Sequence, residues 1–169
     1  MASDKSEFVI TRSFDAPREL VWKAWTVPEL MAQWWGPKGF KVGTYKLDFR
    51  PGGTYHYCMR GPDGKDMWGK FMYREIAAPE KIVFVNCFSD EAGDITRHPL
   101  NPSWPQQTLS TITFVEEGGG TKVIVRWVPI DPTEIERKTF DDNHASMQQG
   151  WGGTMDQLAE FLAKAKKAA

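Results

Sequence analysis

The spacing of hydrophobic residues changes along the chain, and these changes separate predicted strands from predicted helices. Alternation of hydrophobic and polar residues predicts a β-strand, whereas steps of three and four predict an amphipathic helix. Alternating segments rich in Val, Ile, Thr, Phe and Tyr are residues 7–14, 40–49, 54–60, 67–76, 81–89, 107–116 and 121–128. Short turn sequences separate most of them, which favours antiparallel strands. The longest connection, residues 90–106, contains three prolines and predicts an ordered, rigid loop.

Two short helices are predicted between the first and second strands. Asp15 is the expected N-cap of the first helix, with Pro17 in its first turn. Thr26 and Glu29 have the spacing of a capping box and predict the start of the second helix. A glycine followed by a proline is a common helix end, so we expect the second helix to end at Gly36.

Two adjacent tryptophans lie at the end of the second predicted helix. Trp34 follows Leu30 by four residues, so we expect Trp34 to pack in the core beside Trp25. Trp35 lies about 100° further round the helix. The core and the rim of a binding site are both compatible with that position.

A long amphipathic helix is predicted at the end of the chain, starting at residues 131–134 with Asp131 as its cap. From His144 onward, steps of four and three place one set of residues on a single face: His144, Gln148, Trp151, Met155, Leu158, Leu162 and Ala165. An adjoining row consists of Met147, Thr154 and Phe161. The face is polar at its start, and two interpretations are open. His144 is either buried in the core with a hydrogen-bond partner, or the polar end of the helix lines a cavity.

Three glycines, Gly150, Gly152 and Gly153, interrupt the predicted helix. Each costs about 1 kcal/mol relative to alanine, so their presence indicates that something approaches the backbone closely. The sheet, a partner and a ligand are all candidates. Asn86 raises a similar question, because it interrupts the apolar strand IVFVNCF.

The composition is that of a globular domain, with 169 residues, 41% of them hydrophobic, and a formal net charge of -1. We expect one domain over residues 1–169. No basic excess indicates nucleic acid or an anionic membrane surface. No signal peptide or membrane span is expected, and the two cysteines fit a reducing compartment, so the predicted location is the cytoplasm. Eight tryptophans suit an aromatic core or an aromatic-lined cavity.

No strong catalytic or metal-binding motif is present. The glycines at 118–120 lie between two strands and predict a hairpin turn, since no helix follows to bind a phosphate. His56 and Cys58 share one face of a strand, but they supply only half of a metal site. Cys58 and Cys87 are expected to be small core residues. We therefore expect neither a metal nor an organic cofactor.

Several short motifs together resemble a known family. They are FDAPRELVW at 14–22, QWWGP at 33–37, RPGG at 50–53, MRGPDG at 59–64, GGGT at 118–121 and GW at 150–151. They resemble the bacterial family named for the C-terminal domain of activators of the heat-shock protein 90 ATPase. That family belongs to the START/Bet v 1-like (SRPBCC) superfamily. The resemblance covers about residues 7–165.

The resemblance implies an α+β helix-grip fold with an internal cavity. A curved seven-stranded antiparallel sheet would wrap around the long C-terminal helix, and the two short helices after the first strand would close one end. The apolar half of the C-terminal helix would fill the grip, and its polar half would line the cavity. Members of the superfamily bind lipids, sterols, plant hormones or polyketides, and some are cyclases or aromatases.

The leading hypothesis is a protein that binds a small, mostly apolar, lipid- or polyketide-like ligand without a cofactor. The expected wall or anchor residues are Trp68, Asn86, Trp127, His144, Met147, Gln148 and Trp151. Phe88 and Trp104 are expected at the mouth, and the loop containing His98 is expected to act as a lid. His144 and Gln148 would orient the ligand through hydrogen bonds.

Two alternatives remain open at this point. The first is an enzyme of the cyclase or aromatase type, in which His144 would act as general acid or base. The second is an interaction module that stimulates a heat-shock ATPase, and it predicts an exposed apolar patch. Neither the identity of a ligand nor the oligomeric state follows from the sequence.

Overall fold

The computed structural model describes residues 7–36, 39–98 and 101–168. In these ranges the strands are β1 (Phe8–Phe14), β2 (Lys41–Leu47), β3 (Thr54–Arg60), β4 (Asp66–Ala77), β5 (Lys81–Ser89), β6 (Ile95–Thr96), β7 (Thr108–Glu117) and β8 (Gly120–Pro129). The helices are α1 (Arg18–Thr26), α2 (Pro28–Met31), α3 (Glu134–Asp142) and α4 (His144–Ala168). No helix among these residues is both long enough and apolar enough to cross a membrane.

Seven strands form one antiparallel sheet in the order β1-β8-β7-β5-β4-β3-β2, and the two-residue β6 pairs with β5. Irregularities in the pairing occur between Val42 and Thr44 in β2 and between Tyr73 and Glu75 in β4. Such bulges bend a strand, and here the sheet curls into a half-barrel with α4 against it. The predicted helix-grip fold is confirmed.

The core lies between the inner face of the sheet and α4. Met155, Leu158 and Leu162 of α4 are at most 2% exposed, so the apolar half of the helix fills the grip as predicted. Burial of each such side chain stabilises the fold by about 1.5–3 kcal/mol. On the sheet, the Phe71 and Phe84 rings stack with centroids 4.1 Å apart.

The prediction for Trp34 is also confirmed. Its ring is buried, with its centroid 4.8 Å from that of Trp25. The Trp34 indole N–H donates to the Ala24 carbonyl oxygen over 3.0 Å. This hydrogen bond joins α1 to the residues after α2, so Trp34 holds the helical cap together.

The predicted starts of α1 and α2 are wrong. Pro17 is the N-cap of α1, and its carbonyl oxygen accepts from the backbone of the first turn. Asp15 lies two residues too early for that role. Val27 is the N-cap of α2, with no side-chain hydrogen bond. The Thr26 hydroxyl instead donates to the Trp22 carbonyl oxygen, which belongs to α1.

The single helix predicted from residue 131 is two helices. Thr133, not Asp131, caps α3, in a capping box with Glu136. Asn143 ends α3 in a non-helical conformation, with its N–H bonded to the Phe140 carbonyl oxygen. Its own carbonyl oxygen accepts from the Met147 backbone N–H, so α4 begins directly after α3. Although the helix is interrupted, Phe140 of α3 belongs to the same hydrophobic core as Met155 of α4.

Candidate ligand-binding cavity

A cavity of about 440 Å³ lies between α4, strands β3 to β5 and the loop that follows β6. This volume is within the range of small-molecule sites, which is about 300–1,000 Å³. Most of its wall is aromatic or contributed by methionine, and the polar residues are few. It lies on the inner face of the sheet, where the core stops short of filling the grip.

Three tryptophans form one wall of the cavity. The Trp151 ring meets the Trp35 ring at 71° and the Trp127 ring at 76°, with centroids 5.6 and 5.4 Å apart. Such edge-to-face contacts fix the rings against one another. The indole N–H groups of Trp127 and Trp151 are buried and have no hydrogen-bond partner among the described residues. That of Trp35 is also buried and faces the Tyr57 hydroxyl oxygen.

The floor of the cavity is built from three adjacent strands. Tyr57 on β3 pairs with Gly69 on β4, which pairs with Phe88 on β5. A β-carbon at residue 69 would collide with the Tyr57 ring and hydroxyl. Gly69 therefore leaves the space in which the Tyr57 side chain lies across the neighbouring strand.

Asn86 is a polar residue on the same floor. Its side-chain oxygen accepts from the hydroxyl of the fully buried Ser110. Its amide nitrogen donates no hydrogen bond to the described residues. Because one end of the amide is held by the protein, the other end is left as a donor at the cavity surface.

The lining carries no Asp, Glu, Lys or Arg within the described residues. Burial raises the pKa of the Tyr57 phenol. Burial also raises the pKa of the Cys87 thiol to about 11, against the opposing effect of Lys70. The pKa of His98 is lowered from its ordinary value of 6.5, again by burial. All three groups are therefore mainly neutral near pH 7, and the described part of the lining is uncharged.

The partly exposed residues of the lining mark its mouth. There the His98 ring lies 4.6 Å from the Phe88 ring, and the Trp104 ring lies 5.6 Å from the Phe140 ring of α3, between centroids. Arg97 forms an ion pair with Glu136 at 2.8 Å. These contacts attach the loop beside the mouth to both β5 and α3.

The segment predicted as one loop, residues 90–106, has two parts. Residues 90–96 fold back on β5 as a hairpin, because Ile95 and Thr96 pair with Ser89 and Phe88. The second part carries His98 and Trp104 to the cavity mouth. Residues 99 and 100 lie outside the described residues. Whether this second part moves as a lid stays a prediction.

Seven of the nine predicted site residues line the cavity: Trp68, Asn86, Phe88, Trp104, Trp127, Met147 and Trp151. Phe88 and Trp104 are partly buried members of this lining. Trp68 contributes to the wall, but its ring stacks on His56 at 4.9 Å. Since Trp68 alternates with the inward-facing Gly69, that stack lies on the outer face of the sheet.

His144 and Gln148 are not among the lining residues. Gln148 is exposed, because it follows Met147 by one residue and so lies about 100° round the helix. The His144 ring packs edge-on against Phe8 and Phe140, and its buried Nε2 has no partner among the described residues. The α4 residues that line the cavity are Ser146, Met147, Gly150, Trp151 and Thr154. Of the predicted polar half of the helix face, Trp151 therefore reaches the cavity, whereas His144 and Gln148 do not.

Other lining residues were not predicted from the sequence: Tyr57, Gly69, Asn101, Asn143, Ser146 and Thr154. Two of these residues could have been identified from the sequence pattern. The alternation in TYHYCMR places Tyr57 on the same face as Tyr55, which is fully buried. A glycine in the interior of a strand, as at residue 69, indicates that another group approaches its backbone.

At Gly150 and Gly152 the sheet, one of the three candidates, does not approach the helix closely. A ligand or a partner beside these glycines stays a prediction. A β-carbon added at Gly150 or Gly152 would meet nothing within 4 Å. Gly150 lines the cavity, so the open space beside it is part of the cavity itself. Between these glycines and the C-terminus, Thr154 and Gln157 instead bind the Gly36 carbonyl oxygen, at 3.1 and 2.6 Å.

The described residues contain no group of three or more His, Cys, Asp and Glu side chains placed to hold a metal ion. His56 contacts the Asp90 carbonyl oxygen through Nε2, at 3.0 Å. Cys58 and Cys87 are free, buried thiols. Both side chains are buried, as predicted, and they lie on the same face of the sheet as Trp68.

Comparison with known proteins identifies the family to which the chain belongs. The model of the family described as "Activator of Hsp90 ATPase homolog 1-like protein" matches residues 15–163. No match was found among curated proteins.

Solved bacterial structures share the fold. A protein from Mycobacterium smegmatis is 26% identical, with a TM-score of 0.76 over 95% of this chain and 92% of that one. A protein from Arthrobacter aurescens is also 26% identical, with a TM-score of 0.79 over 96% and 88%. One from Silicibacter pomeroyi is 19% identical, with a TM-score of 0.72 over 94% and 99%, and shows likeness of fold alone. The match to the family over most of the chain shows that this protein belongs to the Activator of Hsp90 ATPase homolog 1-like family, with START/Bet v 1-like (SRPBCC) structural neighbours.

Proposed function

We propose that the protein binds a small, mostly apolar molecule in the cavity between α4 and the sheet. The observation that carries the proposal is a cavity of about 440 Å³ with aromatic walls, no charged lining residue among those described, and a free amide donor at Asn86. Such a combination favours apolar ligands and orients them through few polar contacts. The two free, buried thiols fit a cytoplasmic location for this binding.

The residues at the mouth support a ligand that enters the cavity from solvent. Phe88, His98 and Trp104 are only partly buried, so a ligand that passes them loses contact with water in stages. The ion pair between Arg97 and Glu136 is half exposed on its arginine side, and it joins the loop to α3. We infer that separation of this loop from α3 is the step that admits the ligand.

No observation favours the two other hypotheses. His144 would need to reach a substrate in the cavity to act as an acid or base, and it packs instead between Phe8 and Phe140. An interaction module predicts an exposed apolar patch. The large apolar side chains that are exposed in the described residues are Val9, Val115 and Ile135, which belong to three different elements.

The test is a titration of the full chain with the neutral fluorescent probe N-phenyl-1-naphthylamine, followed by two-dimensional NMR. We expect saturable binding, with shifts at the indole N–H signals of Trp35, Trp127 and Trp151. Gly150→Leu places a side chain in the cavity and should weaken binding by about tenfold or more, a loss of about 1.4 kcal/mol.

Gly152→Leu is the matched control. It is also helical and also has open space beside it, but it does not line the cavity. Both substitutions raise helix propensity equally, so a difference between them reports the cavity. Equal effects of the two variants, or binding without shifts at the three indoles, would contradict the proposed site.

A further inference from the structure

The cavity floor holds two residues with hydrogen-bond donors on the same face of the sheet, Tyr57 and Asn86. The Tyr57 side chain extends from β3 across Gly69 on β4, towards β5. Asn86 of β5 pairs with Phe71, two residues from Gly69, so it is a diagonal neighbour of Gly69 on the same face. Diagonal neighbours are about 7–8 Å apart, and the Tyr57 side chain spans much of that distance. The phenol hydroxyl and the Asn86 amide therefore border the same part of the floor.

Both groups can donate a hydrogen bond to a ligand. The Asn86 side-chain oxygen already accepts from Ser110, which leaves the NH₂ group for the ligand. Burial keeps the Tyr57 phenol protonated. A carbonyl oxygen can accept two hydrogen bonds and needs no acceptor in return, whereas a ligand hydroxyl would need one.

The described lining residues offer no ionic partner to a ligand. A carboxylate or ammonium group moved into such a cavity would lose its hydration without a counter-charge. The edge-to-face tryptophan wall formed by Trp35, Trp127 and Trp151 offers flat surfaces to a ring system.

From this arrangement we propose that the ligand is an uncharged aromatic ketone, whose carbonyl oxygen is bound jointly by Tyr57 and Asn86. Gly69 leaves the space in which the Tyr57 side chain reaches the part of the floor that Asn86 borders. The inference names the ligand class for the proposed function and so rests on it.

Matched pairs of ketone and hydrocarbon test the class. Fluorenone and fluorene share one ring frame, as do benzophenone and diphenylmethane, and each pair differs by the carbonyl oxygen. The full chain should bind each ketone about tenfold or more tightly than its hydrocarbon, which corresponds to about one hydrogen bond in a dry site. Isothermal titration or tryptophan quenching gives the affinities.

Tyr57→Phe removes the hydroxyl and keeps the ring. It should lower ketone affinity by about tenfold and leave hydrocarbon affinity unchanged. Tyr73→Phe is the control, because Tyr73 is buried on the same sheet face but does not line the cavity. The double change Asn86→Val/Ser110→Ala removes both partners of one hydrogen bond and should act like Tyr57→Phe without leaving Ser110 unpaired.

The infrared carbonyl stretch of bound benzophenone reports directly whether its oxygen accepts hydrogen bonds from the protein. Hydrogen bonds from the protein should lower its infrared frequency relative to hexane, and Tyr57→Phe should reverse part of that shift. An unshifted band in the unchanged protein overturns the assignment of these two donors even if the ketone binds.

The outcomes separate this inference from the proposed function. Equal affinity for ketone and hydrocarbon overturns the inference and leaves the proposed function standing. Binding of N-phenyl-1-naphthylamine without binding of either ketone also overturns the inference and leaves the proposed function standing. Failure of every apolar probe overturns both. Tight binding of fluorene-9-carboxylate, as strong as that of fluorenone, overturns the claim that the ligand is uncharged.

Discussion

The Arg97 guanidinium donates to the Glu136 carboxylate over 2.8 Å, and this ion pair ties the loop at the cavity mouth to the first turn of α3. The hydrogen bond from Arg97, with a further one from the Thr133 backbone, lowers the pKa of Glu136 from its ordinary value of 4.5. A group whose pKa is lower in the folded state stabilises the fold above its unfolded pKa. That stabilisation is lost as the pH falls below about 4.5 and through the folded value.

Glu136→Gln should therefore show a pH-dependent loss of stability. At neutral pH we expect a loss below about 1 kcal/mol, since Arg97 is half exposed and glutamine can still complete the capping box. The difference from the unchanged protein should shrink below about pH 4.5. Urea unfolding between neutral pH and about pH 3 measures it.

Glu134→Gln is the control for that experiment, because Glu134 lies in the same turn and forms no ion pair with the described residues. Its substitution should reproduce only the effect of charge at the helix N-terminus. A Glu136→Gln difference that stays constant into the acid range would show that the ion pair does not set the stability of this junction.

Gly69→Ala should destabilise the fold. The added methyl group collides with the Tyr57 side chain, which must move within a packed core, at a cost of about 1–3 kcal/mol. Gly43→Ala in β2 is the control, because nothing lies within 4 Å of an added β-carbon there. We expect that control to be neutral or stabilising by less than about 1 kcal/mol.

A second substitution tests the cause. If Tyr57 is the obstacle, the destabilisation by Gly69→Ala should be smaller in a Tyr57→Leu background, as a double-mutant cycle would show. An additive result would mean that the strand, and not the Tyr57 ring, resists the methyl group.

Thr133→Ala should cost about 1 kcal/mol of stability, because it removes the side-chain oxygen that accepts from the Glu136 backbone. Asp131→Asn should have little effect, since Asp131 precedes the cap and asparagine tolerates its φ of +42°. Denaturant midpoints of the two variants decide between the two capping assignments. A larger loss of stability for Asp131→Asn than for Thr133→Ala would show that Asp131 is the functional cap.

Trp34→Phe should destabilise the protein by about 1 kcal/mol more than Trp25→Phe. Both rings are about equally buried, and each substitution removes a similar volume. Trp34→Phe also leaves the Ala24 carbonyl oxygen without its donor, whereas the Trp25 N–H has no partner to lose. Urea unfolding of both variants measures the difference, and equal losses would show that this hydrogen bond adds nothing net.

Much of the sheet could be predicted because alternation depends only on local sequence. Two strands, at 54–60 and 81–89, have the predicted bounds. The helix starts could not be predicted as well, since several residues in a row have capping chemistry and only backbone conformation selects one. Asp15 and Pro17 compete in this way before α1, and Asp131 and Thr133 before α3.

The site required information that no local pattern contains. Helical spacing identifies which residues share a face, but it does not fix how the helix is rotated against the sheet. A change of one residue is about 100°, and it separates the exposed Gln148 from Met147 at the cavity. The approach of Tyr57 to Gly69 depends on the register between β3 and β4, which the sequence of either strand alone leaves undetermined.

The uncharged lining also bears on how fast a ligand is captured. Electrostatic steering accelerates association only when protein and ligand both carry charge, and dissolved salt then slows it. For the described lining, which has no ionised side chain, the association rate with a neutral ligand should be nearly independent of ionic strength. Discrimination between ligands must then occur after encounter, in the lifetime of the complex.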